Sequence, residues 1–238
     1  MWFLATLPCK RVVDIVSNNQ ERMLRAPEIV DALGSNPLTG RSVIDRILSF
    51  LGVEPPREDL ESGDGPISDS EAAAALRAVL GDDLNHLAQA MVEESETTSS
   101  DETNLYALIQ QMNIVQKVKL ARLGNKEARG LLVRDRNKVV AVAAATSPKL
   151  TGNEVVGFAQ SRNVCDEVLR LISNNRHWTR NYKVKLSLAT NPKTPQPTAM
   201  KFVNFLQDSD LRSIVKSKDV PTAISTHARR ILMKKGKL

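Results

Sequence analysis

The chain contains two copies of one pattern: residues 9–19 read CKRVVDIVSNN, and residues 165–175 read CDEVLRLISNN. Five of the eleven positions are identical, and three more exchange one aliphatic residue for another. After a gap of one residue the match continues, so that Leu33-Gly34-Ser35-Asn36-Pro37 aligns with Leu188-Ala189-Thr190-Asn191-Pro192. Self-similarity of this kind is typical of proteins built from stacked helical repeats.

A further copy of the turn begins at Ser147, 44 residues before Asn191, and a weaker one begins at Ser217. Asn or Ser can cap a following helix, and the proline after it prevents the preceding helix from continuing. The apolar residues of 166–172 recur with the 3.6-residue period of a helix. Those of 184–188 alternate and would also suit a strand, but no hairpin signal flanks them, so we expect a helix there as well.

Taken together, these features predict an all-α, HEAT-like helical-repeat solenoid with units of about 44 residues. An N-terminal partial repeat would be joined to it by an acidic linker. We expect the partial repeat to stack on the main solenoid or on that of a second chain, and the sequence leaves the oligomeric state open.

The segment LATNPKTP at residues 188–195 resembles the HEAT-like and variant leucine-rich helical repeats of bacteria. A longer pattern is similar to a group of bacterial proteins, in particular from delta-type proteobacteria; its parts are IVQK at 114–117, GNKEAR at 124–129 and ARRIL at 228–232. The resemblance covers residues 104–238 well and residues 9–52 in part. It implies a solenoid fold and brings no activity with it.

Charge divides the chain into three parts, although the net charge is only +6. Residues 1–54 are neutral, residues 55–103 carry a net −11, and residues 104–238 carry a net +17. We therefore predict an N-terminal helical partial repeat, a largely disordered acidic linker, and a basic helical-repeat domain with these boundaries. Within the linker, short helices are expected at 70–80 and 84–92.

No motif indicates catalysis, so we expect no enzyme, no catalytic residue, no cofactor and no metal. The histidines are far apart in the sequence, and no glycine-rich phosphate loop is present. Cys9 and Cys165 are interpreted as small core residues rather than nucleophiles. Asp135, between two arginines, is expected in surface ion pairs; a catalytic aspartate on a HEAT-like scaffold is the less favoured alternative, based on fold analogy alone.

Basic residues gather near successive predicted turns of the third part. If stacked repeats place these turns along one edge, they form a ridge that can bind an anion or an acidic partner. We refer to this predicted set as the basic ridge; it comprises Arg129, Arg134, Arg136, Lys138, Arg176, Arg180, Lys183, Lys185, Lys216 and Lys218.

The functional expectation is a non-enzymatic scaffold or adaptor that binds a protein partner, most simply an acidic one. The alternative is a module that binds the phosphate backbone of nucleic acid and is modulated by the acidic linker. A cytoplasmic location with no membrane association is expected, because the N-terminus fits a secretory signal poorly and no long apolar run is present.

Overall fold

The computed structural model describes residues 2–53, 69–80, 92 and 99–236. All regular secondary structure in these ranges is helical, and they contain no strand, which confirms the all-α prediction. The two segments with strand-like composition, 138–145 and 182–190, are both helices. The short helix expected at 84–92 lies outside the described residues except for Val92.

The chain divides into two compact units, Met1–Leu150 and Thr151–Leu238. Unit 1 contains ten helices within its described residues: α1 Trp2–Thr6, α2 Lys10–Ser17, α3 Gln20–Arg25, α4 Pro27–Ser35, α5 Arg41–Phe50, α6 Asp69–Leu80, α7 Ser99–Gln111, α8 Ile114–Leu123, α9 Lys126–Leu132 and α10 Lys138–Ala145. Unit 2 contains seven in the part described: α11 Gly152–Gln160, α12 Asp166–Asn174, α13 Arg176–Arg180, α14 Tyr182–Thr190, α15 Gln196–Val203, α16 Asp208–Lys216 and α17 Thr222–Lys234.

The core of unit 1 forms around α10, a helix of Val and Ala in which every residue from Val139 to Ala145 is buried. A helix that is apolar on all sides must be enclosed by other elements. Helix α8 packs against α10 from within the same sequence region, while α4 and α5 pack against it from the N-terminal region. Residues 2–53 therefore dock in cis on the helices that follow residue 113.

One side chain, Asn137, joins α10 to α4. Its Oδ1 accepts a hydrogen bond from the Val139 amide at 2.9 Å and so caps α10. Its Nδ2 donates to Oδ1 of Asp31 at 3.1 Å. The approach is so close that a Cβ added at Gly34 would lie 1.9 Å from Oδ1 of Asn137, which explains why glycine occupies this helical position.

Helix α6, within the predicted acidic linker, also contributes to the core. Ala72, Ala73 and Leu76 are fully buried, and the helix packs against α8. The predicted boundary at 103/104 falls inside α7, and the boundary at 54/55 involves a residue outside those described. The division at these positions stays a prediction.

In unit 2, α14 packs against both α11 and α15, and α17 packs against α15 and α16. The apolar residues that the sequence places on one face of α12, such as Val168 and Ile172, are fully buried. This agrees with the 3.6-residue pattern on which the helix was predicted.

The two Asn-Pro turns make the same hydrogen bonds in the two units. Nδ2 of Asn36 donates to the Ala5 and Leu7 carbonyls at 2.8 Å each, at the end of α1. Nδ2 of Asn191 donates to the Ala159 and Ser161 carbonyls at 2.8 and 3.0 Å, at the end of α11. Helix termini leave carbonyls without intrahelical partners, and each asparagine satisfies two of them.

The turn at Ser147 follows the same plan with a shorter side chain. Its hydroxyl donates to the Arg122 carbonyl at 2.7 Å, in the last turn of α8. In all three turns the polar residue is followed by four residues before the next helix begins, and its carbonyl accepts a hydrogen bond from the amide three residues later.

Candidate binding surface

Unit 2 has a large excess of positive charge, with 16 Lys and Arg against 6 Asp and Glu in residues 151–238. Most of these carboxylates already have a partner inside the unit. Glu154 accepts hydrogen bonds from Thr151, Asp166 pairs with Arg170, Asp208 pairs with Lys235, Asp210 accepts from Tyr182, and Asp219 pairs with Arg162. The carboxylates of unit 2 are therefore too few to compensate all of its cations.

Three of these cations, Arg176, Arg180 and Lys183, lie along α13 and the start of α14. The sequence folds locally in this way because Asn175 and Asn181 each cap the helix that follows them. The three side chains are exposed, and no carboxylate among the described residues lies within 4.0 Å of their nitrogens. We call this group the α13–α14 cation cluster.

The other face of α14 meets the turn between α15 and α16. Nζ of Lys185 lies 5.7 Å from the centre of the Phe205 ring, within the range of a cation–π interaction. One helical turn earlier, the Tyr182 hydroxyl donates to Asp210 and accepts a hydrogen bond from the Gln207 amide at 3.0 Å. These contacts tie α14 to the turn that carries Phe205, and 60% of the surface of Phe205 is exposed.

Tyr182 keeps its proton in this setting. Partial burial, followed by the hydrogen bond to Asp210, raises the pKa of Tyr182 above its usual value of about 10. At physiological pH the Tyr182 hydroxyl is therefore protonated and donates its hydrogen bond to Asp210.

Arg129 does not belong to the predicted basic ridge. It is fully buried and donates from Nη1 to the Gly124 carbonyl at 2.8 Å. A buried guanidinium needs hydrogen-bond acceptors, and here the loop before α9 provides one of them, the Gly124 carbonyl. Arg129 therefore cannot meet a partner at the surface.

The remaining nine members of the predicted basic ridge are at least partly accessible. Arg134 and Arg136 are exposed in unit 1, and Lys138 is half-buried with Nζ 3.3 Å from the Pro37 carbonyl. Lys216 and Lys218 are exposed in unit 2, at the end of α16 and in the turn after it. Their alignment along a single continuous edge stays a prediction.

A polar cleft of about 400 Å³ in unit 1 was not anticipated from the sequence. Asp135 pairs there with Lys117 at 3.3 Å, and both side chains are only about one-sixth exposed. Oδ1 of Asp135 also accepts from the Asn137 amide at 2.8 Å. Asp135 therefore forms an ion pair as predicted, but its partner lies 18 residues earlier on α8, and the pair is largely buried rather than at the surface. These bonds, together with that from Asn137 to Asp31, connect α4, α8 and α10.

The two cysteines differ in their surroundings. Cys9 is exposed, so the interpretation of it as a core residue is wrong. Cys165 is half-buried at the start of α12, and burial raises the pKa of its thiol. A thiol with a raised pKa has little thiolate at neutral pH, which is unfavourable for nucleophilic chemistry.

Within the described ranges, no group of three or more His, Cys, Asp or Glu side chains could hold a metal ion. No helix in the described part of the chain is both long enough and apolar enough to cross a membrane. No protein family, curated protein or solved structure matches the chain.

Proposed function

We propose that this protein is a non-enzymatic helical-repeat scaffold whose unit 2 binds an acidic segment of a protein partner. The repeats would form a HEAT-like solenoid of units of about 44 residues. The hydrogen bonds shared by the turns at Asn36, Ser147 and Asn191 support the repeat. Solenoids present extended surfaces rather than deep pockets, which suits recognition of a macromolecule.

The observation that carries the proposal is the α13–α14 cation cluster. Its three cations are exposed, and no carboxylate of the described residues compensates them. Uncompensated like charge raises the local potential and costs stability, and a bound anion relieves both effects. Carboxylates match the guanidinium groups of Arg176 and Arg180 in size and hydrogen-bonding geometry.

The experiment titrates the full-length protein into a fluorescent polyglutamate peptide and follows anisotropy. We expect micromolar binding that weakens as salt is raised, and a loss of about tenfold or more when Arg176, Arg180 and Lys183 are changed together to Gln. The matched control changes Arg229, Arg230 and Lys234 to Gln, which alters the net charge equally on α17. An equal loss in both variants would mean that the peptide senses only net charge, and the proposal would fail.

Nucleic acid is the second candidate ligand, because exposed arginines also bind phosphates in a bidentate manner. The same titration with a random DNA duplex separates the two. Phosphate binding gives a linear fall of log affinity against log salt, with a slope of about −0.9 per phosphate neutralised. Tighter binding of the duplex than of polyglutamate would favour this alternative, in which the acidic residues 55–103 compete with phosphates.

A further inference from the structure

The proposed function leaves open what an acidic partner must contain besides charge, and the surface around Phe205 gives an answer. Phe205 is the most exposed aromatic side chain described in unit 2. It lies in the turn after α15, and its amide donates to the Phe202 carbonyl at 2.9 Å, so the ring projects from a hydrogen-bonded turn.

A second helix, α14, contacts the turn that carries this ring. Lys185 lies over the ring, and Tyr182 on the same face of α14 bonds to the amide of Gln207 and to Asp210. A rigid aromatic ring loses little conformational entropy when it is buried in an interface. Where an exposed aromatic side chain becomes buried in an interface, it contributes strongly to the binding energy.

The charge beside the ring restricts the class of partner. Lys183, the last residue of the α13–α14 cation cluster, is two residues before Lys185 in sequence and so lies on a different face of α14, while Lys185 itself carries a charge next to the ring. A nucleic acid duplex offers phosphates, but its bases are stacked inside it and present no apolar group to the ring. A peptide with carboxylates on both sides of an apolar residue offers both features.

We propose, on the basis of the proposed function, that Phe205 and Lys185 recognise an apolar residue that lies between acidic residues in the partner. The apolar side chain packs on the exposed ring edge and face, and the flanking carboxylates pair with Lys185 and with the α13–α14 cation cluster. Recognition then depends on the order of residues in the partner as well as on its charge.

The experiment compares two fluorescent peptides of equal length and charge on the full-length protein. One is a glutamate peptide with a single central Leu, and the other has Ser at that position. We expect the Leu peptide to bind about five- to tenfold more tightly, in keeping with burial of one aliphatic side chain against an aromatic anchor. Phe205→Ala should lower the affinity of the Leu peptide to that of the Ser peptide.

Met233→Ala is the matched control, because Met233 on α17 is also 60% exposed. An equal loss from this control would assign the effect to general surface hydrophobicity and overturn the inference. Equal binding of the two peptides by the unaltered protein would overturn it while leaving the proposed function intact. Binding of neither peptide would refute both, and circular dichroism of each variant verifies that it is folded.

Discussion

The turns at Asn36 and Asn191 share the same asparagine hydrogen bonds but differ in the side chains around them. Three residues after the asparagine, Thr39 donates from Oγ1 to the Leu33 carbonyl at 2.6 Å. At the equivalent position Thr194 has a buried Oγ1 with no hydrogen-bond partner among the described residues. Two residues before the asparagine, Gly34 stands where the second copy has Ala189. The hydrogen bonds of the asparagine side chain are thus common to both turns, whereas the neighbouring side chains differ between the two units.

Removing the shared asparagine should give the largest effect. Asn36→Ala or Asn191→Ala deprives two helix-terminal carbonyls and one backbone amide of their partners. A buried group left unsatisfied costs about 1–3 kcal/mol, and in each turn one of the three hydrogen bonds is fully buried and two are partly buried, so we expect a loss of about 2–4 kcal/mol in either unit. Urea unfolding followed by circular dichroism measures it.

Asn191→Ser is the control for this prediction, because Ser147 already serves in a turn of the same kind with one hydrogen bond. It should restore part of the stability that Asn191→Ala removes. A Ser variant no more stable than the Ala variant would contradict the idea that the turns are interchangeable.

Gly34→Ala tests the difference between the copies. Alanine is normally better than glycine in a helix by about 1 kcal/mol, but here its Cβ would collide with Asn137. We expect a net destabilisation of about 1–3 kcal/mol, which is typical of overpacking. Thermal unfolding should register the effect.

The collision also predicts how this substitution combines with a second one. In an Asn137→Ala background the colliding amide is gone, and Gly34→Ala should become neutral or stabilising. If the cost stays the same in that background, the close approach of Gly34 to Asn137 is not its cause.

The threonines should respond in opposite directions to replacement by valine, which has nearly the same shape. Thr39→Val removes a buried hydrogen bond and should cost about 1 kcal/mol. Thr194→Val removes a buried hydroxyl without a described partner and should be neutral or stabilising. Paired chemical denaturation of the two variants provides the comparison, and equal losses would contradict it.

The smallest effect concerns pH. Helix α4 begins with Pro27, whereas the equivalent α14 begins with Tyr182, whose pKa is raised by partial burial and by Asp210. Below pH about 10 the tyrosine is protonated in both folded and unfolded chains. Above it the unfolded chain loses this proton first, so the free energy of unfolding should fall as the pH rises through the folded-state pKa.

Tyr182→Phe should reduce that alkaline decline, and melting temperatures on either side of pH about 10 measure the difference. A decline of the same steepness in the variant would show that Tyr182 is not responsible.

The sequence predicts the helical class well because it depends on local chemistry, and it predicts where the turns lie. The role predicted for the turn asparagines is wrong, because Asn36 and Asn191 are expected to cap the next helix, whereas four residues separate each of them from that helix. Each asparagine side chain instead donates to carbonyls 29 to 32 residues earlier in the chain, whereas the pattern of α12 is set by its own apolar face. The sequence predicts less well where distant groups meet. From the sequence, Arg129 is expected at the surface, but the fold buries it beside the Gly124 carbonyl. Asp135 is likewise expected at the surface, but α8 places Lys117 next to it.

Part of the candidate site was also beyond sequence reasoning. The cations of α13 and α14 were predicted from charge alone and are accessible as expected. The exposure of Phe205 could not be foreseen, because its position aligns with half-buried Phe50 in the first copy. Only the geometry of the turn after α15 places the ring outside the core.

The bond between Asn137 and Asp31 has a consequence for synthesis of the chain, because these residues are separated by 106 positions. A ribosome adds about 5–20 residues per second, so the first helices emerge roughly 5–20 s before α10 exists to receive them. During that interval the apolar faces of α4 and α5 have no partner from this region. The nascent N-terminal segment therefore exposes apolar surface that α10 can cover only later in synthesis.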